Sequence, residues 1–305
     1  MVKKNTSTHK SFFAFEKCFI QWVSKKNKDG ERTITHKTTK ARKVTGKTAP
    51  DILRKLKHLL QSPQTDAKPM RLAKYLAQRD FGTKRGLDRL IGHKGVLVNG
   101  TRVFDPAMPV TDKDAIVCEG QKAQRALAKV RLLMYHKAVG TLTTHHDPLG
   151  RQTVMEKVHG HQEVPQNQAL RTVGRLDQNS EGLLLLTNSG ALKRFLELPA
   201  QGIERVYKVR FQGVLTKAHL ESAFKGLMID KITYAPIVIE RLASADASFG
   251  WCRVTLREGK NREIRRVFAF WGLKVLRLKR VAFGPFKLGD LKKGQLRDIT
   301  HALSF

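Results

Sequence analysis

The apolar pattern of the chain is densest at residues 183–186, where four leucines follow one another. Gly182 stands before them, and turn-forming residues at 187–190 stand after them. A short continuous apolar run between turn residues is typical of a strand that is buried on both faces of a sheet. We therefore predict a central strand here, preceded by a polar loop that carries Asp177.

Further strands and helices are predicted around this strand. Period-two alternation and β-rich composition indicate strands, and apolar residues at helical spacing indicate helices. The predicted strands lie at 130–137, 204–210, 234–242, 252–256 and 275–281. The predicted helices lie at 190–198, where Pro199 stops the helix, at 214–226 and from 264 onwards. The second half of the chain is thus predicted to combine helices and strands in one domain.

A smaller unit is predicted before residue 120. Apolar residues within 72–76 have helical spacing, and Thr83 is placed to cap a second helix with an apolar stripe over 87–91. Asn99-Gly100 then separates two short strand patterns, as in a hairpin with a tight turn. We predict two helices followed by a hairpin, with a linker over 121–128.

The first 68 residues have a strong excess of Lys and Arg and few apolar positions. This composition predicts a basic, largely disordered extension, which either solubilises the protein or tracks phosphates without reading sequence. Within it, the apolar residues of 50–61 have helical spacing and predict a short basic amphipathic helix.

The charge of the chain indicates a polyanionic partner. There are 58 Lys and Arg against 26 Asp and Glu, a formal net charge of +32 and a pI near 10.5. No apolar run reaches the roughly 20 residues of a spanning helix, so nucleic acid is favoured over a membrane. A DNA-binding protein would share the charge, but no zinc-finger, basic-zipper or recognition-helix pattern occurs.

The three cysteines, Cys18, Cys118 and Cys252, have no zinc or redox spacing and favour a reducing compartment. The amino terminus lacks the pattern of a secretory signal, while its Lys, Thr and Ser content leaves organellar import open. We predict a bacterial-type cytoplasmic location. The histidines at 145, 146, 159 and 161 have no helical or hairpin spacing that fixes ligand geometry, and we predict no metal site.

Candidate chemistry lies in the loop before the central strand. Asp177 and Arg175 stand at the mouth of an apolar element, with Gly174 and Gly182 removing side-chain bulk where a ligand could approach. From composition alone, Asp177 is also well explained as a turn former, because its short carboxylate satisfies nearby backbone donors.

Two stretches change this interpretation. Residues 174–177, Gly-Arg-Leu-Asp, followed by 180–188, resemble the signature of the pseudouridine synthases that act on ribosomal RNA and carry an amino-terminal S4 domain. The basic stretch 257–268 is similar to a second motif of that family, and 71–76 with 96–100 resembles the S4 motif. The family usually has Pro where this chain has Ala138.

The resemblance implies an α+β fold: an S4 RNA-binding domain at 69–120, then a synthase domain at 129–305 on a mixed, largely antiparallel sheet flanked by helices. It makes Asp177 the catalytic residue, Tyr207 the aromatic residue against the target base, and Arg265 the partner of Asp177. It further assigns to RNA or uracil binding Arg175, Leu176, Lys260, Asn261, Arg262, Arg266, Leu278 and, in the S4 domain, Arg71, Lys74, Lys84 and Arg85.

The implied reaction converts a uridine of ribosomal RNA to pseudouridine without a cofactor, in a monomeric protein whose partner is ribosomal RNA. Residues 147–151 are more like the large-subunit members of the family, so a large-subunit target is expected. A small-subunit target and a non-catalytic role in ribosome assembly are the alternatives. The assembly role would explain the charge and the S4 pattern but would not require the set of Asp177, Tyr207 and Arg265.

Overall fold

The computed structural model describes residues 19–26, 32–39, 48–61, 69–79, 81–123, 129–144, 147–162, 164, 170–242 and 248–301. The chain divides into two units, Met1–Thr45 and Gly46–Phe305. In the first unit, strands β1 (Phe19–Lys26) and β2 (Arg32–Thr39) pair antiparallel. The predicted extension therefore contains a two-stranded sheet, which the β-branched residues of 33–39 favour.

The second unit begins with helix α1 (Ala49–Gln61), which confirms the helix predicted at 50–61. Its Ile52 and Leu56 are 3% and 0% exposed and lie in a core cluster with residues of the large domain, such as Leu185 and Phe195. The helix lies inside the predicted extension, yet its apolar face is built into the core. Burial of that face is the physical reason why charge composition alone misjudged this segment.

The small domain has two helices and two small sheets. Its elements are β3 (Met70–Arg71), α2 (Leu72–Gln78), α3 (Lys84–Lys94), β4 (Val96–Val98), β5 (Thr101–Val103), β6 (Pro109–Val110), β7 (Ile116–Cys118) and β8 (Gln121–Lys122). The Thr83 hydroxyl accepts from the Gly86 N–H at 3.2 Å and caps α3. Asn99 and Gly100 both have positive φ, as the tight turn between β4 and β5 requires.

The boundary of the predicted linker differs from the structure. Residues 121–122 pair with β7 as an edge strand, and Ala123 is fully buried in the core of the small domain. The domain therefore extends to residue 123, because β8 adds an edge strand that the sequence pattern did not indicate. Residues 124–128 lie outside the described residues.

The large domain combines strands and helices along the chain. Its elements are β9 (Leu132–Lys137), α4 (Val154–His159), β10 (Arg171–Val173), β11 (Glu181–Thr187), α5 (Gly190–Glu197), β12 (Arg205–Gln212), α6 (Lys217–Lys225), β13 (Leu227–Ile229), β14 (Ile232–Tyr234), β15 (Val238–Leu242), β16 (Phe249–Leu256), α7 (Glu263–Phe270), β17 (Lys274–Phe283), β18 (Phe286–Lys287) and β19 (Leu296–Asp298). Within the described ranges no helix has the length and apolarity of a membrane span.

A nine-stranded mixed sheet organises the large domain. Its main order is β15-β16-β12-β17-β11-β9-β19, with β10 paired to β11 and β18 paired to β17. Only β11 and β17 run parallel among these described pairs; the others are antiparallel. Strand β11 is buried at every position, as predicted for the leucine run.

Helices cover the sheet unequally. On one face, α4, α6 and α7 pack against a large core cluster that includes Leu184, Val209 and Val254. On the other face, α1 and α5 pack over β9, β10 and β11 in a second cluster. The β12, β16 and β17 part of this second face carries exposed polar residues instead.

One predicted strand is interrupted. The sequence pattern predicted a single strand over 234–242, but β14 ends at Tyr234 and β15 begins at Val238. Pro236 lies between them, and a proline cannot donate to a strand ladder. The Ile237 N–H instead donates to the carbonyl of Ala223 in α6 at 2.9 Å, so the chain changes partner at this point.

Candidate active site

The loop 174–180 joins β10 to β11, and a buried lysine holds its backbone. Lys137, at the end of β9, is 0% exposed. Its Nζ donates to the carbonyl oxygens of Ser180 at 2.8 Å, Ala138 at 3.0 Å, Asp177 at 3.1 Å and Gln178 at 3.3 Å. Burial lowers the pKa of this amine to about 8. The ammonium thus serves as an internal cap for carbonyls that a tight loop leaves without partners.

Two further side chains fix the amino-terminal half of the loop. The Thr143 hydroxyl donates to the Leu176 carbonyl at 2.7 Å and accepts from the Leu176 N–H at 3.3 Å. Glu197, from α5, accepts from the Gly174 N–H at 2.7 Å through Oε1, which also contacts the Lys193 amine. Backbone bonds at both ends of the loop therefore set the position of Asp177.

The Asp177 carboxylate faces two guanidinium groups. Its Oδ2 lies 3.5 Å from Nη1 of Arg262 and 3.9 Å from Nε of Arg265. The Asp177 side chain is 30% exposed, whereas that of Arg265 is 14% exposed. The predicted partner, Arg265, thus lies within ion-pair range but beyond hydrogen-bond length, and Arg262 is nearer.

Arg265 is oriented by the backbone rather than by the carboxylate. It donates to the Asn179 carbonyl at 2.7 Å and to the Val275 carbonyl at 3.2 Å, so it links α7 to the loop and to β17. Its buried Nε has no hydrogen-bond partner among the described residues. Burial, together with the nearby charge of Arg262, lowers the pKa of the Arg265 guanidinium.

The segment before α7 has an unusual backbone. Arg262 has φ +50° and ψ +31°, a left-handed conformation that a non-glycine residue rarely adopts without support. Support comes from Glu263, which is 4% exposed and accepts from the Lys260 N–H at 3.0 Å. Burial and the neighbouring Glu258 raise the pKa of Glu263 to about 7. The conformation of this turn sets the direction in which Arg262 leaves the backbone.

An apolar group adjoins the loop. Leu176, Tyr207 and Leu278 are 6%, 9% and 6% exposed and belong to one core cluster. Leu278 lies opposite Val209 in the β12–β17 pair, and Tyr207 is two residues before Val209, so both side chains occupy the same face of the sheet. The structure thus places these three predicted residues in one apolar core, with Tyr207 and Leu278 on the same face of the sheet.

The remaining predicted residues lie at the surface. Arg175, Asn261 and Arg266 are exposed. Lys260 is exposed too, but its amine is engaged by the Thr233 carbonyl at 2.6 Å and by the Glu258 carboxylate. In the small domain, the predicted residues Arg71, Lys74, Lys84 and Arg85 are also exposed.

Comparison with known proteins decides the family. The family model described as RNA pseudouridylate synthase matches residues 131–270, and that of the S4 domain matches residues 70–116. A Rickettsia felis protein named as an uncharacterized RNA pseudouridine synthase is 42% identical over 233 residues, which cover 76% of this chain and 98% of that protein. The chain belongs to the RNA pseudouridine synthases. RNA is therefore its substrate class.

Other similarities agree with this family. The ribosomal large subunit pseudouridine synthase B of Xylella fastidiosa, strain Temecula1, is 36% identical over 237 residues, covering 75% of this chain and 48% of that protein. A crystal structure of a pseudouridylate synthase superposes with a TM-score of 0.53 at 24% identity, covering 76% of this chain and 97% of that one. The predicted α+β fold, an S4 domain followed by a synthase domain on a mixed sheet, is confirmed.

Two glycines were predicted to leave room for a ligand beside the loop 174–180, called the synthase loop from here on, and the structure contradicts this for Gly182 in β11. Gly182 does not leave room for a ligand: a Cβ there would stand 2.2 Å from the backbone oxygen of Arg280 in the neighbouring strand. It therefore allows β11 and β17 to approach. Gly174 has φ +66° with open space around its Cα, so the turn itself requires glycine.

Sequence reasoning missed the residues that hold the loop. The sequence contains one indication for Lys137, which is a charged residue at the end of an apolar strand pattern. It contains none for Glu197, which lies 23 residues from its partner Gly174. Of the histidines considered for a metal, 145 and 146 lie outside the described residues. Among the residues that the structure describes, no His, Cys, Asp and Glu group is arranged to hold a metal ion.

Proposed function

We propose that this synthase converts a uridine of large-subunit ribosomal RNA to pseudouridine, with Asp177 as the catalytic carboxylate. The observation that carries the proposal is the placement of the Asp177 carboxylate, 3.5 Å and 3.9 Å from two guanidiniums, on a loop that also contributes Leu176 to the cluster with Tyr207 and Leu278. The large-subunit target is supported by the relative from Xylella fastidiosa and its name.

The reaction is an isomerisation. The bond between uracil N1 and ribose C1′ breaks, the base turns, a bond forms between C5 and C1′, and the proton on C5 is replaced by one on N1. Atoms and electrons balance within the nucleotide and one exchanged proton, so the proposed chemistry requires no cofactor. What the protein must supply is a fixed charge beside C1′ and a pocket that retains the detached base.

The proposed roles follow from the chemical groups. The ionised carboxylate of Asp177 acts at the sugar, either as a nucleophile or by stabilising positive charge as the glycosidic bond breaks. Arg262 and Arg265 place two positive charges within 4 Å of this carboxylate. Tyr207 and Leu278 offer one aromatic and one aliphatic surface to the base, which replaces the stacking lost when the nucleotide leaves the RNA helix.

RNA binding is divided among several surfaces in this proposal. The exposed residues Arg175, in the loop, and Asn261 and Arg266, next in sequence to Arg262 and Arg265, contact RNA near Asp177 in this proposal, and Arg71, Lys74, Lys84 and Arg85 of the S4 domain contact phosphates. We further propose that the enzyme acts as a monomer in a bacterial-type cytoplasm, where ribosomal RNA is made.

Substitution of Asp177 by Asn tests the catalytic assignment. Asn keeps the size and most of the turn-forming capacity of Asp but removes the charge, so folding and RNA binding should persist while isomerisation is lost. Tritium release from C5-labelled uridine measures the reaction, with large-subunit and small-subunit transcripts supplied separately. Asp230→Asn, in the exposed turn between β13 and β14, is the matched control and should retain full activity.

Each outcome of this experiment is decisive. Normal tritium release by a folded Asp177→Asn protein would remove Asp177 from the mechanism. Release from the small-subunit transcript alone would move the target to that subunit. Tight RNA binding by the unmodified protein without release from either transcript would favour the assembly role instead.

A further inference from the structure

The half of the sheet formed by β15, β16, β12 and β17 has two unlike faces. Along β12, buried residues alternate with exposed ones, and the exposed set begins with Lys208 and Arg210. The buried set packs against α6 and α7 through residues such as Ala223 and Val267. The opposite, exposed face is therefore a separate surface from the one that holds Tyr207 and Leu278.

Strand pairing gathers basic residues on this exposed face. Lys208 lies opposite Arg253 in β16 and opposite Lys279 in β17. Arg210 lies opposite Trp251 and Arg277 in the same two strands. Side chains of directly paired residues point to the same side of a sheet, so these groups form a continuous array across three strands.

Two aromatic rings lie within the array and orient its cations. Nζ of Lys208 stands 4.7 Å from the centre of the Trp251 ring, and the Arg210 guanidinium stands 5.6 Å from that of Phe249. A cation held over a ring loses part of its conformational freedom before any ligand arrives. The array is thus partly organised for binding.

Acidic residues balance only part of this charge. Glu240 pairs with Arg253 at 3.1 Å, and Glu181 contacts Arg277. Both arginine side chains keep nearly half of their surface exposed, 47% and 45%. The array therefore keeps an excess of accessible positive charge, and its complement is a polyanion.

The array also adjoins the synthase loop. Glu181 is the first residue of β11 and follows the loop 174–180 directly. Its carboxylate contacts Arg277 and, at 3.0 Å, Nζ of Lys293. An RNA chain that extends from the loop past this edge would therefore lie next to Arg277 and Lys293.

We propose that this basic sheet face, defined by Lys208, Arg210, Phe249, Trp251, Arg253 and Arg277, binds the sugar–phosphate backbone of the RNA substrate outside the Asp177 site. Backbone positions on one face of a sheet repeat about 5 Å apart across strands and about 7 Å apart along a strand, so long basic side chains at these positions can reach several phosphates at once. Aromatic rings among the cations suit RNA, whose bases and riboses stack on them, better than they suit an acidic protein. The proposal extends the RNA substrate class and does not depend on the role of Asp177.

A charge-matched pair of double variants tests the proposal. Lys208→Gln with Arg210→Gln removes two charges from the face, while Lys217→Gln with Lys225→Gln removes two from α6 on the opposite side of the same half-sheet. Because the chain carries a net charge of +32, the second variant controls for the general loss of charge. Lys208→Arg with Arg210→Lys keeps both charges and controls for packing.

The measurement is the dependence of affinity on salt, with a labelled oligouridylate as the probe. Loss of two phosphate contacts to a single strand should reduce the slope of log affinity against log salt by about 1.4. The α6 variant and the charge-keeping variant should retain the slope of the unchanged protein. Equal slopes for the face variant and the α6 variant would overturn the proposal.

Single-turnover tritium release at saturating RNA separates this proposal from the catalytic one. The face variant should keep the rate of the unchanged protein, since Lys208 and Arg210 lie on the face of the sheet opposite the one that holds Tyr207 and Leu278. A rate that falls at saturation would show that the face belongs to the active site and would also overturn the proposal. If the unchanged protein released no tritium while the slope still fell, the binding face would stand and the catalytic assignment would fail.

Discussion

Replacement of Lys137 by Met tests how the synthase loop is held. Met has a similar length and an uncharged side chain, but it cannot donate to the carbonyls of Ser180, Asp177 and Gln178. The loop would lose the group that links its backbone to β9. The variant should therefore have a lower free energy of unfolding, and Asp177 should be less firmly positioned.

The magnitude follows from two opposing effects. An ammonium carries three hydrogens, and hydrogen bonds that involve a charged group contribute about 1.5–3 kcal/mol each, so their loss costs roughly 5–9 kcal/mol. Removal of the buried charge offsets part of this loss, because a charged amine is unfavourable in a buried position. The fall in the Lys137 pKa from 10.5 to about 8 corresponds to roughly 3 kcal/mol. We expect a net decrease in the free energy of unfolding of about 2–6 kcal/mol at neutral pH.

The pH dependence gives an independent check. Between pH 8 and 10.5 the unfolded chain holds a proton that the folded chain has released from Lys137. The free energy of unfolding contributed by this group therefore rises with pH across that window, and Lys137→Met lacks the rise. The stability difference between the unchanged protein and the variant should grow as pH increases.

Urea unfolding and single-turnover tritium release measure the two effects. A loop displacement of about 1 Å is enough to lower the rate about 100-fold, with less change in RNA affinity. Lys217→Met makes the same chemical change at a side chain that is 89% exposed and should stay within about 0.5 kcal/mol of the unchanged protein. If Lys137→Met unfolded like this control, the loop would not depend on the buried amine.

Two further predictions concern the core and the turn before α7. Leu56→Ala should reduce the free energy of unfolding by about 2–5 kcal/mol, because Leu56 is fully buried against the large domain. Arg54→Ala, at a side chain that is 82% exposed, should have little effect. Equal unfolding of the two variants would show that α1 does not contribute to that core. Glu263 has its pKa raised from 4.5 to about 7, so its stabilising contribution is full below pH 4.5 and is lost as pH rises through 7. The unchanged protein should therefore lose stability relative to Glu263→Gln over that window, and a stability difference that does not vary with pH would contradict the assignment.

The sequence predicted those elements whose signals are local. The leucine run identified β11, Asn99-Gly100 identified the hairpin of the small domain, and Thr83 identified the start of α3. Tyr207 and Leu278 were placed near Asp177 through the family resemblance, not through spacing. Their shared face becomes visible only when the register of β12 and β17 is known.

What the sequence did not predict depends on contacts between distant residues. The bonds of Lys137 to the loop span about 40 positions, and the packing of α1 joins a basic segment to a core more than 100 residues away. The alternation of β12 marks Lys208 and Arg210 as exposed, but it does not reveal which residues stand beside them in β16 and β17. Charge composition also gave no reason to expect Ile52 in a buried position.

The geometry around Asp177 fits the role proposed for it, that of a fixed residue whose carboxylate stays available to a substrate. Its backbone carbonyl accepts from Lys137 and from the Ser180 N–H, so the main chain has little freedom. Its carboxylate, in contrast, stands 3.5 Å and 3.9 Å from the two guanidiniums, too far for hydrogen bonds of ordinary length.

The two arginines therefore supply charge without occupying the carboxylate. Arg265 donates its hydrogen bonds to the carbonyls of Asn179 and Val275, which leaves the Asp177 oxygens available to a substrate. A shorter, bidentate ion pair would stabilise the free enzyme and would have to be broken before the carboxylate reached the sugar. The separation observed here keeps positive charge beside the carboxylate while it avoids that cost, which suits the proposed site if its contacts are completed only when RNA binds.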